Sequence, residues 1–181
     1  MCIRDRHVCA LTGEVFEQDL KRFEQVCRVV SSMRGVRVGA IGARPAGFNT
    51  VRYSEKLLER LGIAVETLDL SEVFTRIKTL RDDDIRVDEK RRILIDNADA
   101  SRIPADKLVT MAKLFVVISE WVVANDIDTT AIQCWTSLQE NLGINVCSIM
   151  SVMSGQLMPS ACEVDVMGAV SYTHLTLPTI L

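Results

Sequence analysis

The 181-residue sequence lacks an excess of basic charge, a long apolar run, paired cysteines and, apart from two residues, histidine. Each absence removes a class of function. Twenty-one Lys and Arg residues against 24 Asp and Glu leave a formal net charge of -3, and the basic residues are spread among acids. A surface that neutralises a phosphate backbone needs clustered positive charge, so nucleic acid is not an expected partner. The richest apolar stretch, Leu114 to Ala124, is interrupted by Glu120 and falls short of the roughly 20 residues that a membrane-spanning helix requires. No membrane partner is expected, and the chain reads as soluble.

The six cysteines (Cys2, Cys9, Cys27, Cys134, Cys147 and Cys162) occur singly, without a CxxC pair. They read as small hydrophobes packed in the core rather than as a disulfide frame or zinc ribbon. That usage predicts a reducing, cytoplasmic location. There is no internal repeat and no low-complexity segment.

Both ends stand apart from the rest. MCIRDR at 1–6 and SYTHLTLPTIL at 171–181 resemble translated sequencing-adapter read-through and continue the periodicity of neither neighbour. They are expected to be non-native, with the natural chain longer on both sides.

What is present is an alternation of helical and strand patterns. Val15, Phe16, Leu20, Phe23, Val26, Cys27, Val30 and Met33 recur at three- and four-residue steps and predict an amphipathic helix over 14–33. The β-branched, Gly-bounded run 36–41 predicts a strand, followed by a Gly- and Pro-bearing loop at 42–49. Helical spacing over 51–61 ends at Gly62, and 63–68 gives a second strand. Ser71 and Glu72 start another helix, and the mixed-charge run 81–92 reads as a solvated helical face and linker. A long helix covers 106–125, a buried strand 130–135, a helix 137–153, and a strand at 161–163 opens into a helix near Asp165. The order predicts an α/β class, with a layered Rossmann-like parallel sheet flanked by helices. In such sheets ligands sit beyond the carboxyl ends of the strands, which singles out the loops at 42–49, 135–140 and 163–168.

The first loop, Gly39-Ala-Ile-Gly-Ala-Arg-Pro-Ala-Gly-Phe-Asn-Thr50, fits neither GxGxxG nor GxxxxGK[ST], and Pro45 removes one amide donor from any phosphate cradle. A nucleotide-dependent oxidoreductase is therefore a weak alternative. The loop is either a tight structural turn or a place where Arg44 and Asn49 contact a polyhydroxylated ligand. Among the acids, Glu140, Glu163 and Asp165 lie beside apolar segments. Glu163 and Asp165 are two apart, so in extended backbone they would point the same way. Converging carboxylates suit Mn2+ or Mg2+, which prefer hard oxygen ligands, although an Asp at a helix start is equally at home as an N-cap.

The blocks Gln133-Cys-Trp-Thr-Ser-Leu-Gln-Glu-Asn-Leu-Gly-Ile144 and Met158-Pro-Ser-Ala-Cys-Glu-Val-Asp-Val-Met-Gly-Ala169, with weaker support from the Gly39 loop and Leu68 to Glu72, resemble the central region of L-fucose isomerase-like proteins. The resemblance spans about residues 10–170. It implies a fragment of a multidomain, oligomeric aldose-ketose isomerase, with an α/β domain at 7–158 and the start of a C-terminal domain at 159–170. It further implies a divalent metal, usually manganese, held by a Glu, an Asp and a distant His, over which a small sugar such as L-fucose or L-arabinose rearranges through an enediolate.

Carried over by position, Glu140 matches the Glu and Asp165 the Asp, with Glu163 the second choice for the Asp. The two carboxylates would act jointly as metal ligands and acid-base groups. Trp135 would wall the pocket or stack on the sugar, unless it serves the core, and Gln139 would hydrogen-bond a hydroxyl. His7 and His174 sit in or beside the suspect ends. The family's histidine is expected beyond residue 170, which predicts weak metal binding and little turnover by this chain alone. The non-catalytic alternative is an α/β sugar-binding or sensing module.

Overall fold

A computed structural model describes residues 13–172; residues 1–6, His7 and His174, and the part of the C-terminal stretch from 173 onward lie outside the described residues. Four short strands carry the fold. They are β1 (Arg37–Ile41), β2 (Ala64–Leu68), β3 (Thr129–Ile132) and β4 (Ser160–Cys162), and they form one sheet in the order β2-β1-β3-β4 with every pairing parallel. The helices are α1 (Glu14–Ser32), α2 (Glu55–Arg60), α3 (Leu70–Thr79), α4 (Ile85–Asn97), α5 (Ala105–Ala124), α6 (Ser137–Leu142), α7 (Cys147–Gly155) and α8 (Val166–Val170). This is the α/β arrangement that the alternating pattern predicts.

The sheet is covered on both faces, and the two-residue period of the strands decides which side chain goes where. Val38 and Ala40 of β1 join Ala131 and Ala161 in an apolar layer with Leu58 of α2 and Val166, Ala169 and Val170 of α8. Ile41 and Ile132 face the other way, into the larger core built by α3, α4, α5 and α7. Helix α5 anchors that core: ten of its residues are buried, Phe115 and Ile118 among them. It comes so close to β1 that a Cβ on Gly39 would lie 2.6 Å from the Trp121 ring.

Strand β4 is fastened by side chains as well as by its ladder. The buried Thr129 hydroxyl donates to the Pro159 carbonyl at 2.8 Å, and Thr130 Oγ1 donates to Ser160 Oγ at 2.8 Å. Residues 160–170 supply a strand of this same sheet and a helix that covers it.

Several elements end elsewhere than the periodicity suggests. β3 stops at Ile132 instead of running to Trp135; the Gln133 backbone amide still donates to Ile41, while its side chain bonds to the loops at Ala43 and Trp135. The predicted helix over 137–153 is two helices, broken where Gly143 adopts φ +66 and closes α6 with a left-handed cap. In the stretch 51–61, a 3-10 turn at Asn49–Val51 precedes α2, so the α-helix starts only at Glu55. Asp69, and not Ser71, caps α3 by accepting the Ser71 amide. Within the charged run, Asp84 caps α4 in the same way, and Arg86 bridges from there to Glu120 of α5. Helix α1 forms as expected, yet none of its residues is buried, and Phe23 of its apolar stripe is 66% exposed. No helix among the described residues is long and apolar enough to cross a membrane.

The Gly39 contact gives a direct test of the packing. Gly39→Ala should lower the unfolding free energy by about 2 kcal/mol, the usual cost of forcing a methyl group into a filled core. Urea denaturation checks it, and an unchanged midpoint would show that Trp121 can move aside.

Candidate functional site

The carboxyl ends of β1, β3 and β4 lie side by side, and the segments that leave them build the site. At β1, Gly42 takes φ +84, and a Cβ there would sit 2.6 Å from Gln133 Oε1. Gln133 uses that proximity to tie two loops together. Its Oε1 accepts the Ala43 N–H at 2.8 Å and its Nε2 donates to the Trp135 carbonyl at 2.8 Å. Phe48 then meets the Trp135 ring edge-on with centroids 5.6 Å apart. The Trp135-Thr136 peptide is cis.

The end of β4 is less regular than an extended strand. Glu163 and Val164 both adopt left-handed backbone, with φ +55 and +56. A β-branched residue in that region is an outlier, and such strain concentrates at functional sites. The alternation that would aim Glu163 and Asp165 the same way is therefore absent. Glu163 is buried, at 7% exposure, and both of its carboxylate oxygens face the Trp135 N–H, at 3.3 and 3.4 Å. Among the described residues no Lys or Arg forms an ion pair with it. Asp165 caps α8, its Oδ1 accepting the Gly168 N–H at 2.9 Å. A Cβ on Gly168 would lie only 2.4 Å from Asp165 Oδ2.

Glu163 and Asp165 nevertheless share a cavity. It has a volume of about 690 Å³ and is lined by Phe48 and Val51 from the first loop, Met150 and Ser154 of α7, the chain from Pro159 to Glu163, Asp165 and Tyr172. Its size suits a small organic ligand. Of the other residues singled out in the sequence, Trp135, which meets Phe48 and Glu163 at the edge of this region, is 51% exposed, so it is not a core residue. Glu140 is exposed on α6 and does not line the cavity. Gln139 donates to Asn145 Oδ1 at 2.8 Å. Arg44 turns Nη1 back onto the carbonyls of Pro45, Ala46 and Phe48, where it holds the loop's own shape. Asn49 is exposed and its amide donates to Gly47.

This loop offers little to a phosphate. The Gly42, Ala43, Phe48 and Asn49 amides already donate to Leu68, Gln133, Pro45 and Gly47, and Pro45 has no amide proton to give.

The cysteines divide by environment. Cys134 is buried and Cys162 half-buried, as expected of packing residues, but Cys27 and Cys147 are exposed. Burial, and then the Glu163 carboxylate beside it, pushes the Cys162 thiol up to about 12. The Cys134 thiol is also raised, first by burial and then by Cys147.

No protein-family model matches the chain. It is distantly similar to the sulfoquinovose isomerases of Alkalicoccus urumqiensis (27% identical over 152 residues, 81% of this chain and 33% of that protein), Clostridium sp. strain MSTE9 (26% over 162 residues, 87% and 36%) and Priestia aryabhattai (24% over 163 residues, 87% and 35%). The chain thus spans about a third of the length of the curated relatives it matches. Those relatives are sugar isomerases, which agrees at that coarse level with the resemblance carried by the two C-terminal blocks.

The residue that sequence reading passed over is Gln133. Its signal was a polar side chain directly after a buried strand and level with the loop at Gly42. Gln133→Ala leaves the Ala43 amide and the Trp135 carbonyl without their partner, which should cost about 1 kcal/mol. It should also speed hydrogen exchange at Ala43. Unaltered exchange there would mean the loops are held by other contacts. A second test concerns the thiols: because burial and the neighbouring Glu163 carboxylate push the Cys162 thiol up to about 12, it should resist alkylation at pH 8 while exposed Cys27 reacts, as peptide mass mapping would reveal.

Proposed function

We propose that this chain is part of a metal-dependent aldose-ketose isomerase, with the Glu163 and Asp165 carboxylates as its contribution to the cation site. The observation that carries this reading is a buried carboxylate at the carboxyl end of a parallel sheet, in a sugar-sized cavity, with no Lys or Arg ion-paired to it among the described residues. Burying an ionised group without a counter-charge is costly, and a bound cation is the partner that would offset that cost. Oxygen donors of this kind suit manganese or magnesium. We assign Glu163 ahead of Glu140 because Glu163 lines the cavity with Asp165, whereas Glu140 is exposed on α6.

Isomerisation moves the carbonyl from C1 to C2, one proton from C2 to C1 and one between the two oxygens, so no atom is gained or lost. When bound, the cation supplies positive charge for the two sugar oxygens on which negative charge develops. Glu163, fixed by the Trp135 amide, would hold that cation. Asp165 is only half-buried and commits Oδ1 to the α8 cap, so it is our choice for carrying the carbon-bound proton. Phe48 and the exposed ring of Trp135 give the C–H face of a sugar an apolar surface. Sulfoquinovose is the first substrate to try, since the similar proteins isomerise it by name; fucose and arabinose come next.

The test is made on the complete gene product with added Mn2+. Sulfoquinovose or another aldose should be converted to its ketose. Glu163→Gln and Asp165→Asn should each reduce turnover by at least about a hundredfold, in line with the loss of a metal-holding or acid-base group, while circular dichroism stays unchanged. Wild-type rates in both variants would overturn the assignment. Sugar binding without metal and without turnover would identify a sensing module instead. Gly168→Ala offers a subtler check. It should displace the Asp165 carboxylate and weaken Mn2+ binding, read by the electron paramagnetic resonance of the free ion, with little loss of overall stability.

A further inference from the structure

Two thiols and one carboxylate meet beside the cavity, and a third thiol touches one of them. Cys134 lies two residues beyond the end of β3, Cys162 ends β4, Glu163 follows it, and Cys147 opens α7. The ladder pairs Ile132 with Cys162, and Cys134 follows two residues beyond that level on the neighbouring chain segment. The Sγ atoms of Cys134 and Cys162 and a carboxylate oxygen of Glu163 all lie within 4.8 Å of one another. Cys162 Sγ is 3.5 Å from Glu163 Oε1, and Cys147 Sγ is 3.9 Å from Cys134 Sγ.

Those separations match what a tetrahedral thiolate site demands. With metal-sulfur bonds of about 2.3 Å and metal-oxygen bonds of about 2.0 Å, ligand atoms around zinc stand about 3.5 Å apart. The Cys134, Cys162 and Glu163 donor atoms already stand close enough to close on one ion with small shifts, and Cys147 reaches the group through its contact with Cys134. They are also presented from three separate places, the segment after β3, the end of β4 and the start of α7, so a shared ion would cross-link these segments. Cys134 belongs to the same buried apolar cluster as Leu138, Val146 and Ile149, which keeps water from that part of the site.

We propose that Cys134, Cys162 and Glu163, completed by Cys147, bind one thiophilic divalent cation of the zinc class. Binding is a ligand exchange: the ion sheds water, each thiol passes its proton to the buffer, metal-sulfur bonds form, and no electrons are transferred. The inference rests on the convergence of the thiols and holds whether or not the isomerase reading does, although Glu163 belongs to both.

The experiment uses the whole chain with Cys2, Cys9 and Cys27 replaced by Ser, reduced with a phosphine and stripped of metal. Titration with Co2+ should raise a sulfur-to-cobalt charge-transfer band that saturates at one ion per chain and is bleached by Zn2+. Cys134→Ser or Cys162→Ser should remove the band, whereas Asp165→Asn should keep it. No band, or a band that survives in the Cys134→Ser, Cys162→Ser double variant, overturns the proposal. Because Cys134 is buried and its variants could unfold, X-ray absorption of the zinc-loaded background chain provides a second measurement. A sulfur shell near about 2.3 Å supports the site, and a purely oxygen and nitrogen shell overturns it. Loss of Mn2+ binding in Asp165→Asn with the cobalt band intact would separate this site from the isomerase site.

Discussion

The contact between the Trp135 amide and the Glu163 carboxylate joins the ends of β3 and β4, and the geometry of the site follows from it. A carboxylate at 7% exposure is costly to bury, and one amide shared between two oxygens at 3.3 and 3.4 Å offsets only part of that cost. The backbone adds to it, since Glu163 and Val164 are both held at positive φ. The surroundings must therefore impose the arrangement. Val164 is buried in the layer with Val166 and Ala169, the Thr129 and Thr130 hydroxyls fix the start of β4, and the Asp165 cap holds the start of α8. Packing on the far face of the sheet keeps a charged group at its carboxyl end.

That dependence explains which parts of the fold were legible from sequence. Strand β1, strand β2 and the loop between Gly42 and Asn49 were readable because each is written in local patterns: a β-branched run, a glycine stop, a helical period. Helix α5 was readable because its breadth of apolar residues leaves no alternative to burial. The ends of β3 and β4 were not. Gln133 leaves the strand to bond across two loops, and nothing local records its partners at Ala43 and Trp135. The Gly143 break between α6 and α7 was visible as a glycine, but the apolar spacing on either side reads through it.

The candidate site shows the same division more sharply. The acids Glu140, Glu163 and Asp165 were recognisable as unusual, and two of them do line one cavity. Their relative placement rested on a two-residue period that the left-handed turn at Glu163 and Val164 abolishes. Arg44 was recognisable as the charged residue of its loop, yet its guanidinium is spent on three carbonyls of that loop. The cysteines looked alike along the chain because burial is a tertiary property. Only the pairing of β3 with β4 brings Cys134 beside Cys162, and only the turn after α6 brings Cys147 against Cys134.

Glu163 consequently stands between two donor sets of different character. On one side is Asp165, whose oxygens suit a hard ion that keeps exchangeable positions for a sugar's oxygens. On the other are sulfur atoms that suit a soft ion held in a closed shell. The buried carboxylate cannot serve both fully, because an ion drawn among Cys134, Cys147 and Cys162 takes the oxygen that the Asp165 side would need. Selectivity between cations then turns less on Glu163 than on which neighbours complete its shell. Those neighbours differ in what holds them: Asp165 is fixed by a helix cap within four residues of chain, whereas the thiols are assembled from three elements. The oxygen side is therefore set by local structure, and the sulfur side depends on the tertiary packing of α7 against β4.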